Sequence, residues 1–368
     1  MKNVAIVSQG ITGLTAVKYL NLIKAKFKLN FNINFITKED VVGEFSKGGA
    51  KYIHDSECVR RFFNESEIHF SIKKINGSVY VDNVYGVNGM YSYPDIFYYL
   101  GIGGGIGLDS VHNMQSLYYL NTRGNNEKIT SEQIYKCMNE PWIYRNNLQL
   151  SIGDMDMVIS SMQSDFDSDS INVIIDNNFD RSKYDLGKYD LVIFCMPIQF
   201  LLDDEGKSEV FNYTQLKLLR YSIESRLDFE DIWWDYCYVV SDKIRFTRLS
   251  VDRVGRNLDI EYGLYENLFD IEIDRIHLDV YKFFSENLGS NIIKKDDIPS
   301  LLELNRGKLI VTEETTKKII EVISEDEINE HKNVFLLGRY AEWNSRITWK
   351  EVIERLYDNE EYFMEKLK

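Results

Sequence analysis

Val4 to Val7 form an apolar run within residues 2 to 8, short enough for a buried strand and closed at once by Ser8, Gln9 and Gly10. Gly10 to Gly13 then read as a turn, and beyond it Leu14, Val17, Leu20 and Ile23 recur at the spacing of one helix face. A second strand is predicted over Asn32 to Ile36. Strand, glycine turn, helix and strand in this order predict a βαβ unit with a right-handed crossover.

From Phe62 to about Leu150 the periodicity breaks down into aromatics, a glycine-rich stretch from Gly101 to Gly107 and polar loops, the pattern of inserted material. Regularity returns with a short helix over Met155 to Met162, a strand over Ile171 to Asp176, and a strand over Leu191 to Cys195 ended by Pro197. A second insertion runs from about Phe200 to Lys308 and contains alternating, strand-like stretches at Tyr236 to Val240 and Ile244 to Leu249. Asn333 to Leu337 is one more buried strand, closed by Gly338, and Trp349 to Tyr357 reads as helical. The fold class expected is α/β: a discontinuous Rossmann-like nucleotide-binding domain from residues 1–61, 151–200 and 309–368, with mixed α+β substrate-binding regions inserted at 62–150 and 201–308. The acidic piece Asp165 to Asp169 lacks the glycine and terminal glutamate of a calcium loop and is expected to be a solvated loop.

At 368 residues the chain exceeds the usual single domain, which agrees with this division. Lys and Arg total 43 against 58 Asp and Glu, for a formal charge of -15, so nonspecific attraction to nucleic acid or an anionic membrane is not expected and any phosphate site must be local. Cys58, Cys137, Cys195 and Cys237 show no CxxC spacing and are expected as reduced thiols of a cytoplasmic protein. No apolar run approaches the roughly 20 residues of a membrane span, so a soluble chain is expected, with a homo-oligomer left open.

Ser8-Gln9-Gly10-Ile11-Thr12-Gly13 stands where GxGxxG follows the first strand of a dinucleotide-binding fold, with Ser in place of the first glycine. A helix N-terminus offers unpaired N–H groups and a positive dipole end to a pyrophosphate. Gly10 permits close approach and Gly13 permits close packing of helix on strand; Thr12 lies between them. The acidic residue that usually meets the ribose hydroxyls is displaced: Thr37 holds its place and Glu39, two positions on and so on the same side of a continued strand, is the candidate substitute.

Several segments, in order, resemble the UDP-galactopyranose mutase family within the amine-oxidase and protoporphyrinogen-oxidase-like flavoproteins. Gly49-Ala50-Lys51-Tyr52-Ile53-His54 is similar to that family's Gly-x-His-x-x-His segment, and Tyr91-Ser92-Tyr93-Pro94 to its aromatic-x-x-Pro segment. Phe246-Thr247-Arg248-Leu249 resembles its Tyr-Thr-Arg segment, and Gly338-Arg339-Tyr340-Ala341-Glu342-Trp343 its closing Gly-Arg-x-Ala-Glu-aromatic motif. The resemblance spans nearly the whole chain and implies an FAD flavoenzyme acting on a nucleotide-linked small molecule. Reduced flavin would act as a nucleophile on the anomeric carbon, and NAD(P)H is a candidate electron donor.

By this resemblance the cofactor would meet Gly10, Thr12, Gly13, Thr37, Glu39, Gly49, Gly338 and Arg339, with His54 beside the flavin ring. Arg248 and Tyr93 would hold the substrate, with Ser345 and Arg346 near it, and His54 and Arg248 would serve catalysis. The departures carry as much weight. The family's first flavin-side His falls on Lys51, its second-strand Gly-Gly becomes Gly43-Glu44, and its pyrophosphate-anchoring Tyr falls on Ser345. A second phosphate-binding arginine is either Arg123 or Arg145. These changes imply altered substrate specificity, and they keep two other readings open: an amine-oxidase-type oxidoreductase, and a non-catalytic relative that serves as an interaction module.

Overall fold

The computed structural model describes residues 1–38, 53–84, 87–92, 149–152, 155–177, 179, 183–201, 211, 215–223, 231–241, 244, 246–253, 255–264, 273–304, 315, 317, 321, 333–343 and 347–368. In chain order its elements begin with β1 (Lys2–Val7), α1 (Ile11–Phe27), β2 (Phe31–Thr37), β3 (Ile53–His54), α2 (Glu57–Glu65), β4 (Ser71–Lys74), β5 (Gly77–Val84), β6 (Val87–Ser92), β7 (Gln149–Ile152) and α3 (Met155–Gln163). They continue with β8 (Ile171–Ile175), β9 (Leu191–Phe194), β10 (Gln215–Ser222), β11 (Tyr236–Val240), β12 (Phe246–Asp252), β13 (Asn257–Leu264), α4 (Ile273–Lys282), β14 (Ser300–Leu304), β15 (Val334–Leu336), α5 (Trp349–Asp358) and α6 (Glu360–Leu367).

The first sheet is parallel throughout, in the order β15-β9-β1-β2-β8. Its strands come from the three stretches that sequence periodicity marks as one nucleotide-binding unit. Val4, Ala5, Ile6 and Val7 are fully buried because both faces of β1 are covered, as parallel strands require. On one face, α1, α3 and the C-terminal helices enclose Val17, Leu20, Ile33, Phe35, Ile353 and Phe363. On the other, Val192 and Phe194 pack with Leu186, Met196 and Ala341. Trp349 Nε1 donates to Thr15 Oγ1 at 2.8 Å, and Lys26 pairs with Glu360 at 2.9 Å, so the last helices lock directly onto the first. A capping box between Thr348 and Glu351 starts α5.

A second, seven-stranded sheet runs β14-β10-β13-β12-β11-β5-β6. It is antiparallel except where β11 lies parallel to β5. One face, with Leu219, Val239, Leu249 and Ile260, is covered by α4 and the π-helical turn that follows it. A small sheet, β3-β7-β4, completes the described strands.

The predicted strands and helices at 2–8, 32–36, 155–162, 171–176, 191–195, 236–240 and 349–357 each coincide with an observed element to within about two residues. Sequence periodicity did not reveal β5, β6, β10, β13 or β14. The acidic piece differs from expectation: Ser164–Asp167 is a helical turn, and Asp165 pairs with Lys18 at 3.0 Å and accepts from Asn21 Nδ2 at 3.0 Å. That carboxylate anchors α1 rather than facing solvent. Among the described residues, no helix is long and apolar enough to cross a membrane.

Candidate functional site

In chain order the sheet grows from β1 to β2 and β8, then jumps back to β9 on the other side of β1 and on to β15. The reversal leaves a topological switch point between β1 and β9, and in open parallel sheets ligands bind outside the carboxyl ends of the strands at such a point. Here that edge is made by Ser8 after β1, Cys195 after β9, and Leu337 and Gly338 after β15.

Ser8 is almost fully buried, and its hydroxyl accepts a bond from Gly10 N at 3.3 Å, closing the turn within two residues. A Cβ on Gly13 would lie 2.2 Å from Ser8 Cβ and 3.1 Å from Phe35 Cε2. The glycine that the pattern predicts for close packing is therefore obligatory, and the serine in place of the first glycine is part of the reason. Gly10 serves differently. Its backbone is extended, and a Cβ there would meet nothing within 4 Å, so the turn opens onto space. Helix α1 has no side-chain cap at Gly10 and no acidic residue in its first turn, leaving its dipole end uncompensated toward that space.

Gly338 brings the C-terminal motif to the same place. Its φ of +101° suits glycine, and a Cβ would stand 3.0 Å from Thr12 Cγ2 and 3.3 Å from Thr12 Oγ1. Residues 326 positions apart thus form one wall of the crevice. The turn is held by Glu342, whose Oε1 accepts Gly338 N–H at 3.0 Å, whose amide donates to Gly338 O at 2.9 Å, and whose carboxylate pairs with Arg355 of α5. Burial raises the Glu342 carboxyl above its ordinary value, with the Arg355 guanidinium opposing. Arg339 Nε donates to Ile347 O at 3.0 Å, so this side chain ties the motif to the segment leading into α5. Burial also raises the Cys195 thiol; a hydrogen bond with Ser8 opposes the rise and the Glu342 carboxylate adds to it, which places all three groups at one edge.

The remaining predicted residues are distributed as follows. Thr37 ends β2 and is buried, its carbonyl accepting Asp176 N–H at 2.7 Å. His54 ends β3 and is half-buried, opposite Leu150 in the small sheet. Arg248 lies on β12 of the second sheet, where its guanidinium forms an ion pair with Glu261 of β13. Glu39, Gly49, Tyr93, Ser345 and Arg346 lie outside the described residues, as do Gly43, Glu44, Lys51, Arg123 and Arg145.

Sequence reasoning missed two partners. Glu342 is within the motif that carries the resemblance, yet nothing in its spacing reveals that it binds the Gly338 amide. Glu261 was legible in principle: Leu258, Ile260 and Tyr262 alternate with Asp259 and Glu261, so the two acids share the opposite face of one strand.

No family model matches the sequence, and no curated protein matches it. Solved structures do. A reduced UDP-galactopyranose mutase is similar at a TM-score of 0.67 and 11% identity, over 99% of this chain and 94% of that one. A putative protoporphyrinogen oxidase from Exiguobacterium sp. is similar at 0.60 and 13% identity, over 96% and 98%. A putrescine oxidase redesigned in its cofactor binding is similar at 0.56 and 10% identity, over 98% and 99%. At such identities the likeness is one of fold: this chain has the Rossmann-like architecture of these proteins, with a parallel sheet and a second, mixed sheet.

Proposed function

We propose that the chain is an FAD-dependent enzyme of UDP-galactopyranose mutase-like type, acting on a nucleotide-linked sugar or related nucleotide with altered specificity. The observation that carries the reading is the convergence of Thr12 and Gly338 on one crevice wall, at the switch point of a parallel sheet, beside a turn open at Gly10. The donor chemistry suits a dinucleotide: the uncapped start of α1 favours a diphosphate, and glycine at positions 10 and 338 keeps side chains out of its path. Gly10, Thr12 and Gly338 would line the diphosphate, with Gly13 letting α1 pack close against β1 behind them, Arg339 tying the motif to the next segment and Glu342 setting the turn. Reduced flavin, when bound, supplies a nucleophile for the anomeric carbon of a sugar. The protein's part is to bind and orient: Glu342 and Arg355 hold the C-terminal turn rigid, and Arg248 stands in the second sheet as the candidate substrate contact.

The ion pair between Arg248 and Glu261 favours a second reading, an amine-oxidase-type oxidoreductase. A guanidinium paired with a carboxylate on the next strand is a weaker clamp for a diphosphate than one without such a partner. The experiment is purification without added flavin, followed by titration with FAD and a test of redox balance during turnover. Oxidised-flavin absorbance or an FAD-dependent thermal shift supports the cofactor assignment; colourless protein with no shift removes it. Dithionite-reduced protein that isomerises a nucleotide sugar without consuming an acceptor supports the mutase type. Stoichiometric reduction of an acceptor by an amine supports the oxidoreductase instead.

A further inference from the structure

The seven-stranded sheet has two unlike faces. Opposite its apolar, helix-covered face, two ion pairs cross neighbouring strands: Arg220 with Asp259 at 2.7 Å, and Arg248 with Glu261. Asp259 and Glu261 are 2% and 3% exposed, so these carboxylates are buried charges, each with an arginine partner. Beside the second pair the ladder between β12 and β13 slips. Phe246 opposes Tyr262 and Arg248 opposes Glu261, which leaves Thr247 as the extra residue of a bulge, a device that re-aims side chains next to functional sites.

Among the described residues, six buried side-chain polar atoms have no hydrogen-bond partner: Ser66 Oγ, Gln199 Oε1, Thr247 Oγ1, Arg248 Nε, Arg256 Nε and Glu261 Oε2. Three of these six belong to Thr247 of the bulge, Arg248 beside it and Glu261 facing them, and Thr247 is fully buried. Leaving a buried polar atom unsatisfied is unfavourable, so three at one sheet position call for an occupant.

We propose that Thr247 and Glu261 form a ligand subsite that receives a neutral hydroxyl group, of the kind a sugar carries. The proposal rests on the preceding reading only in taking this face of the sheet as the ligand side. A carboxylate oxygen can only accept, so the group it lacks is a donor. A hydroxyl can both donate to Glu261 Oε2 and accept from the Thr247 hydroxyl, the two roles these atoms lack. Charge selects among donors. An ammonium would place a positive charge beside the Arg248 guanidinium, and a phosphate would offer acceptors to Arg248 Nε and Thr247 but place negative charge against the Glu261 carboxylate oxygen and bring it no donor, whereas a hydroxyl supplies both roles. The subsite therefore reads the sugar hydroxyl of a nucleotide sugar rather than its diphosphate.

Thermal unfolding of the full chain and of Thr247→Val and Glu261→Gln tests this, with D-galactose, putrescine and inorganic pyrophosphate as separate probes. Thr247→Val removes an unsatisfied hydroxyl at constant shape, so without probe it is expected to unfold about 1–3 °C above wild type. Galactose is expected to raise the wild-type midpoint more than that of either variant, while putrescine and pyrophosphate shift all three alike. A wild-type response to galactose no larger than that of Thr247→Val overturns the proposal. A putrescine or pyrophosphate shift that depends on Thr247 or Glu261 overturns it in favour of an amine or anion subsite. Loss of stability in Thr247→Val with no galactose dependence assigns the hydroxyl to a structural water. Thr247→Val alone decides the matter if Glu261→Gln does not fold. The visible absorbance of bound flavin is read on the same samples; a colourless chain defeats the flavin assignment and leaves the galactose comparison interpretable.

Discussion

Gly338→Ala perturbs the crevice at the position where the two ends of the chain meet. The φ of +101° is one that an L side chain rarely adopts, and holding alanine there costs about 1–3 kcal/mol. The new Cβ also stands 3.0 Å from Thr12 Cγ2, and Thr12 has little freedom to withdraw, since its β-branched side chain is in the first turn of α1. Overpacking of that kind costs about 1–3 kcal/mol, so the substitution is expected to destabilise by about 2–6 kcal/mol. The two parts separate experimentally. Thr12→Ser removes Cγ2 and leaves Oγ1, whose contact is the looser 3.3 Å, so in that background Gly338→Ala regains the packing share, about 1–2 kcal/mol, and keeps the backbone share. Denaturant unfolding of the wild type, both single variants and the double variant gives the coupling energy directly. A single-variant effect under about 0.5 kcal/mol, or no coupling between positions 12 and 338, would refute the convergence on which the cofactor site depends.

Two further outcomes follow from the buried charges. Arg248→Ala leaves Glu261, whose side chain is 4% exposed, without its cation, so it is expected to lower stability by about 3–5 kcal/mol, and adding Glu261→Gln restores much of that; a single-variant loss below about 1 kcal/mol by denaturant titration counts against the pair. Any loss of ligand affinity in Arg248→Ala must therefore be measured against its stability. Glu342 has its folded pKa raised, chiefly by burial, so the folded state binds its proton more tightly than the unfolded state; this stabilisation is complete below the unfolded value and is lost as pH rises through the folded one. Glu342→Gln abolishes the titration, so its midpoint relative to wild type is expected to climb as pH rises above the ordinary carboxylate range, the attraction to Arg355 being already included in the net upward shift; a flat or falling difference refutes the assignment.

Local pattern carried the parallel sheet. The apolar runs at β1 and β9 are short, bounded and buried on both faces, so their sequences record burial directly, while β2 and the edge strand β8, where Val173 and Ile175 are exposed, show only as short β-rich runs; the helical spacing of α1 and α5 records one buried face. Gly13 was legible for a related reason: tight contact between the first helix and the first strand leaves room for nothing larger. The order of motifs along the chain also pointed to the fold shared with the mutase and oxidase structures.

Tertiary structure decided the rest, because the physical causes lie between residues far apart in sequence. No local signal states that Gly338 faces Thr12, that Ser8 tightens the space at Gly13, or that Glu342 holds the Gly338 amide while reaching Arg355 on another element. Asp165 sits in an acidic run that by itself reads as solvated, and becomes an anchor only because α1 presents Lys18 and Asn21 to it. Arg248 was visible as a cation in a strand, but its electrostatic meaning is set by Glu261 across the ladder, and a register slip of one residue at Thr247 determines which side chains meet there. Sequence periodicity reports which face of an element is buried; what that face is buried against, and which charge is cancelled there, is settled only when the strands pair.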